Sequence, residues 1–254
     1  MRLFHIIQLF ILLTGFTLYA QERKVVWEEN FNGDKLEMQS WNFETGDGCP
    51  FLCGWGNNER QTYTKENHMV KNGLLYISAK KEGQKYTSSR ITTKGKKEFQ
   101  YGKIEVRAKL PKGKGLWPAF WMLGSNIDSV GWPLCGEIDI LEYVGKEPGT
   151  IFTTLHTADS HGTSVNTRKD KVKGIEEGFH TYAIDWSKDK MDFFIDSNLF
   201  YSFQPRNKSV EVWPYDQPFY LILNMAVGGN FGGPEVDDLI FPQEFVIDYI
   251  RVYQ

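Results

Sequence analysis

The chain has 254 residues, with 32 acidic residues against 29 Lys and Arg and a net charge of −3. A mildly acidic chain without a basic stretch excludes a nucleic-acid partner, and past the N-terminus no apolar run is long enough to cross a membrane. Aromatic residues make up 15% of it, with eight Trp, which serves either a large core or exposed faces that receive sugar rings.

Residues 1–20, MRLFHIIQLFILLTGFTLYA, join Arg2, an apolar run from about Leu3 to Leu18, and the small Ala20 before Gln21. That is the pattern of a secretory signal peptide. The run is short for a membrane anchor and carries His5, Gln8 and Thr14. No Cys follows it to accept a lipid, so a secreted or periplasmic chain, free of the membrane after cleavage, is expected.

Residues 21–254 suit one domain. Strand signals fill it in order: KVVWEENF, GLLYISAKK, YGKIEVRAKL, GEIDILEYV, GTIFTTLHT, HTYAIDWS, KMDFFIDSNLFYSF, FYLILNMAV and FVIDYIRVY. Each alternates or is rich in β-branched and aromatic residues, and Gly, Asn, Asp and Pro separate them. No stretch of helical length has a 3.6-residue period, and KGIEEGFH holds one turn at most. The first strand (24–31) and the last (245–253) are both hydrophobic and are expected to lie together. The expected fold is all-β, a single antiparallel β-sandwich of jelly-roll type.

Cys49 and Cys53 sit close together in GDGCPFLCGWG, and Cys135 is left over. An exported chain meets an oxidising environment, so a local Cys49–Cys53 disulfide is expected. No His/Cys set has the spacing of a zinc site.

The segment GEIDILEYVG (136–145) carries Glu137, Asp139 and Glu142. Retaining cleavage of a glycosidic bond uses two carboxyl groups about 5–5.5 Å apart. Four strand steps of ~3.3 Å separate two Cα atoms by ~13 Å, and two Glu side chains leaning together close most of that gap. A spacing of i and i+4 on one strand face would serve. Here it is i and i+5, which a regular strand places on opposite faces. A β-bulge near Ile140–Leu141 would reset the alternation and bring all three carboxylates to one face. Three like charges there would retain protons, and a raised pKa on Glu142 is what a general acid needs. The alternative for such a strand is a solvated acidic edge.

This strand resembles the catalytic E-x-D-x-x-E motif of glycoside hydrolase family 16, in its bulged, laminarinase-like form. Unbulged relatives such as lichenases have E-x-D-x-E. GWGNNE, SSRITTKGK, KGKGLWPAFWMLG, WPLCGEIDILEYVG, YDQPFYLILNMAVGGN and IDYIRVYQ read like successive blocks of the family, across nearly all of residues 21–254. The resemblance implies a curved jelly roll and a retaining endo-β-1,3-glucanase acting on laminarin-type β-glucans. Glu137 matches the nucleophile, Glu142 the acid/base and Asp139 the assisting carboxylate. Mixed-linkage β-1,3-1,4-glucan and galactans are the alternative substrates, and a transglycosylase would use the same residues. A β-glucan-binding, lectin-like module is the non-enzymatic alternative.

The same resemblance implies substrate contacts. Trp117, Trp121 and Trp132 would stack on sugar rings, core packing being the other use of such residues. Asn57 or Asn58 and Arg90 would bind hydroxyls on the donor side, and His156 would lie near the scissile sugar. Asn224, polar in an apolar strand, needs partners that sugar hydroxyls would supply. His68 and His180 look structural. Many family members carry one structural calcium away from the catalysis, for which Asp248 would give a carboxylate and Asn30 and Gly73 carbonyls. Laminarinase-like relatives often have an acidic residue where Asn30 stands. No cofactor is needed for the chemistry, and a monomer is expected.

Overall fold

Alternating apolar side chains sort this chain onto two sheets that share one core. The computed structural model describes residues 23–254, so the leader read in residues 1–20 lies outside the described residues. One sheet has ten strands. Its path runs Asn198–Phe203, Met191–Ile195, His180–Trp186, Gly102–Lys109, Gln243–Tyr253, Leu74–Glu82, Lys85–Ser88 and Gln61–Tyr63, with Val25–Glu29 and His68–Lys71 added at its side. The second has eight. It runs Thr167–Lys171, Thr150–His156, Glu137–Tyr143, Leu116–Gly124, Phe219–Val227, Arg90–Thr92 and Asn42–Glu44, and Glu98–Phe99 pairs with Phe219–Val227.

The first and last strands pair, from Val25 opposite Tyr253 to Glu29 opposite Ile250. One pairing departs from the expected antiparallel pattern: Gln61–Tyr63 runs parallel to Lys85–Ser88. The segment before it arrives through the loop around Cys53–Gly56 instead of a hairpin, so the tight-turn geometry that forces antiparallel pairing is missing.

The core lies between the sheets. Phe120, Met122, Ile138, Leu221 and Leu223 of the eight-stranded sheet pack there with Ile77, Val106, Ile184, Phe245 and Ile250 of the other. In strand Leu116–Gly124 the core takes Phe120 and Met122, so Trp117, Ala119 and Trp121 point to the opposite, recessed face. That face holds the candidate site.

Candidate active site

The register of strand Glu137–Tyr143 carries one extra residue. Asp139 stands opposite Thr154 and Glu142 opposite Phe152, so three steps on one strand match two on its neighbour. On the other side Trp121 pairs with Asp139 and Phe120 with Leu141, which leaves Ile140 as the insertion. Ile138, Ile140, Leu141 and Tyr143 all enter the core. The bulge thus spends two consecutive residues on one side, and Glu142 returns to the face of Glu137 and Asp139. Thr153, opposite the bulge, donates its hydroxyl to the Asp139 carbonyl at 2.6 Å, a buried bond that satisfies an acceptor in the disrupted ladder.

Register then builds a row across the recessed face. Glu44 pairs with Arg90, Arg90 with Asn224, Asn224 with Ala119, Ala119 with Glu142, Glu142 with Phe152 and Phe152 with Lys169. Directly paired residues share a face, so the site runs perpendicular to the strands, with the carboxylates near its middle. Ala119 is the small member, leaving room between Glu142 and Asn224.

Each Glu accepts a hydrogen bond from an indole. Trp132 Nε1 donates to Glu137 at 2.7 Å, and Trp117 Nε1 donates to Glu142 at 3.1 Å. Trp117 and Trp132 were expected as stacking platforms; they also fix the carboxylates. Trp132 stays 46% exposed and its ring meets His161 edge-on at 5.2 Å. His156 Nε2 lies 3.3 Å from Asp139 and 3.8 Å from Glu137.

Burial and mutual repulsion hold protons in the cluster. Burial first, then the Asp139 charge, pushes Glu137 up to about 8, against the pull of His156 and the Trp132 bond. Burial pushes Asp139 up to about 7, opposed by its hydrogen bond with Glu137. Glu142 is raised well above the usual carboxylate range, by burial and then by Asp139 and Glu137, with His156 and the Trp117 bond opposing.

These raised values make stability pH-dependent. The folded state holds protons that the unfolded chain releases, so stability is fully present below about pH 3.8 and is lost as pH rises through 7–8. Glu142→Gln keeps an oxygen for Trp117 and removes one of the repelling charges. Calorimetry should show a smaller drop in Tm between pH 5 and pH 8 in this variant than in the parent, at about 2–4 °C for each kcal/mol relieved. Equal drops would contradict the coupling.

On one side of the carboxylates stands an aromatic cage. The Arg90 guanidinium lies between Trp55, at 4.5 Å, and Trp121, at 4.8 Å, and its Nε pairs with Glu44. One face of Trp121 is therefore covered by Arg90. Asn224 does not wait for sugar hydroxyls, as expected of it. Its Oδ1 accepts from Trp121 Nε1 at 2.7 Å and its Nδ2 donates to Tyr63 Oη at 2.9 Å. Asn57 and Asn58 also spend their side-chain donors on protein. Asn57 Nδ2 reaches Glu59 at 3.4 Å and Asn58 Nδ2 reaches Asn230 at 2.9 Å, which ties the 53–60 loop to the turn at Gly229–Gly232. At the start of that loop Cys53 is bonded to Cys49, and Cys135 is free and buried.

On the other side is a group that sequence reasoning missed. Phe231 meets Trp117 edge-on at 5.3 Å and Phe152 at 5.0 Å, with Lys146 over its ring. Its only signal was an aromatic among the glycines of AVGGNFGG. Trp55 and Tyr63 were likewise unread, and Glu59 stood only as a polar side chain of the GWGNNE loop. His180 is structural as expected, bound to Asp196 at 2.6 Å. His68 Nδ1 meets the Lys65 carbonyl at 2.5 Å.

Of the expected calcium ligands, Asp248 lies on the ten-stranded sheet, Asn30 just past the end of Val25–Glu29, and Gly73 in the turn between His68–Lys71 and Leu74–Glu82. Asp248 is the extra residue of a second bulge, between Ile247 opposite Ala108 and Tyr249 opposite Arg107, and its carboxylate pairs with the Arg107 guanidinium. Gly73 lies beside Asn32, and Asn30 adds no charge. One carboxylate already neutralised by a cation does not fit a divalent ion.

Known proteins resemble this chain over most of its length. The pattern defining the glycosyl hydrolases family 16 matches residues 56–250. A laminarinase from Flavobacterium sp. UMI-01 of known structure is 70% identical, covering 91% of this chain and 100% of that one, with a TM-score of 0.90. The laminarinase catalytic domain of Thermotoga maritima MSB8 is 43% identical over 92% of this chain and 99% of its own, with a TM-score of 0.86. A β-glucanase of Rhodothermus marinus is 39% identical over 92% of this chain and 86% of its own length.

Proposed function

The chain belongs to the glycosyl hydrolases of family 16, and from that premise we propose that it is an endo-β-1,3-glucanase whose carboxylates Glu137, Asp139 and Glu142 hydrolyse laminarin-type glucans with retention. The observation that carries this reading is the bulge at Ile140, which turns Glu142 back to the face of Glu137.

In the first step Glu137 attacks the anomeric carbon while protonated Glu142 gives its proton to the glycosidic oxygen. The carbon–oxygen bond breaks, and a glycosyl ester on Glu137 remains. Esterification removes the Glu137 charge, one of the influences that raises Glu142. Glu142, now ionised, is then better able to stay so and take a proton from water. The resulting hydroxide adds to the anomeric carbon and frees Glu137. Asp139 shares a hydrogen bond with Glu137 and repels its charge, so it favours ester formation over a doubly ionised pair. Trp132 and Trp117 hold the two carboxyl groups in place through both steps. We also propose export through the residue 1–20 leader, and a monomeric enzyme.

Product chromatography on laminarin, curdlan, barley β-glucan and agarose tests the substrate. Short oligosaccharides released internally from laminarin and curdlan, and none from agarose, are expected. Laminarin bound but unchanged over hours would identify a binding module instead.

A further inference from the structure

The polar chain that ends at Trp121 begins at a carboxylate outside the catalytic cluster. Trp121 Nε1 donates to Asn224 Oδ1 at 2.7 Å, Asn224 Nδ2 donates to Tyr63 Oη at 2.9 Å, and Tyr63 donates to Glu59 Oε2 at 3.2 Å. Gln61 Nε2 donates to the same Glu59 oxygen at 2.6 Å, and Asn57 Nδ2 to the other at 3.4 Å. Gln61 uses its own oxygen to accept from the Val227 amide at 2.7 Å.

The direction of every bond is forced by the ends. An indole nitrogen only donates, and an ionised carboxylate only accepts. Asn224 must therefore present its oxygen to Trp121 and its amide nitrogen to Tyr63, and Tyr63 must spend its proton on Glu59. Tyr63, Gln61 and Asn224 are buried, with exposures of 1%, 1% and 5%. Reversing or breaking one link leaves a buried polar group unpaired, which costs more than the bond itself was worth.

The output of this relay is the orientation of Trp121. Its ring packs on Arg90, whose Nε is taken by Glu44. Arg90 is itself buried, with an exposure of 9%, and it sits on the row of residues that crosses the recessed face to Glu142. Trp121 lies one strand and Arg90 three strands from the carboxylate strand, about 5 Å and about 14 Å across the recessed face, a span that one or two sugars next to the scissile bond would cover.

We propose that Glu59 and Tyr63 are positioning residues for the glucan, acting through Asn224 to hold Trp121, and with it Arg90, in the geometry that receives the sugar beside the cleaved bond. The proposal rests on the glucanase reading for its substrate, and its structural half stands without it.

Tyr63→Phe cuts the relay between Asn224 and Glu59 and keeps the ring. Glu59→Gln keeps the shape but turns one acceptor into a donor that faces Tyr63, Gln61 or Asn57. Two readouts are taken on the full chain. The indole N–H resonance of Trp121, identified by its loss in Trp121→Phe, should move in both variants and stay put in Tyr86→Phe, whose hydroxyl bonds Asp238 away from the site. KM for laminarin should rise about tenfold in both, the equivalent of about 1.4 kcal/mol, with kcat within about twofold. A lowered Tm with the Trp121 resonance and KM unchanged in either folded variant would overturn the proposal. Failure of the parent to cut laminarin would sink the glucanase reading while the resonance still decides the relay.

Discussion

Alanine at Glu137 removes laminarin hydrolysis, and alanine at Glu142 removes most of it, for different reasons that separate experimentally. Without Glu137 no glycosyl ester forms, so loss of at least about 10⁴-fold is expected on every substrate, including aryl glucosides with good leaving groups. Without Glu142 the leaving group gets no proton. Laminarin turnover should fall about 10²–10⁴-fold, whereas a dinitrophenyl glycoside, which departs unprotonated, should still form the ester. Azide should then release that ester as the β-glycosyl azide. With the Glu137 variant azide can attack only from the side the carboxylate vacated, so any product is the α-azide. Circular dichroism should show both variants folded. Equal residual activity on both substrate types would assign the roles wrongly.

The second large effect concerns the bulge. Deleting Ile140 leaves EIDLEY, in which Glu137, Asp139 and Glu142 fall at i, i+2 and i+4 of a regular strand and so share a face. The neighbours Leu116–Gly124 and Thr150–His156 have no extra residue of their own here, so pairing on both sides becomes continuous. One core side chain is lost, at about 2–5 kcal/mol, but hydrolysis should remain measurable. Inserting Ala between Leu141 and Glu142 does the opposite. It sends Glu142 towards the core or demands a second bulge, and activity should vanish. Thermal scans would place both variants below the parent, so stability cannot explain the contrast. A folded, inactive deletion with an active insertion would refute the account of the bulge.

The location of that bulge was legible because two constraints met at Ile140–Leu141. Apolar residues wanted the core and carboxylates wanted one face, and one extra residue satisfied both. The sandwich and the pairing of the chain ends were legible for a similar reason: alternation is written locally in each strand. What escaped were partners set by distant pairing. Asn224 was read as needing sugar hydroxyls, yet its needs are met by Trp121 and by Tyr63, 161 residues away. Trp117 and Trp132 were read by their ring faces, and nothing in their spacing showed that their N–H groups would reach Glu142 and Glu137. Asp248 was assigned to a calcium ion by resemblance, and its pairing with Arg107 depends on a strand register that the sequence does not display. Phe231 sits in a glycine-rich turn, where no periodicity marks a buried face.

The proposed mechanism makes one claim above the others: Glu137 and Glu142, which share a face, act by double displacement. Proton NMR of laminarin hydrolysis in its first minutes tests it, before mutarotation mixes the anomers. The account predicts that newly formed reducing ends appear first as the β-anomer and only later equilibrate with the α. New ends appearing first as the α-anomer would mean direct attack by water, and the assignment of Glu137 as nucleophile would fall.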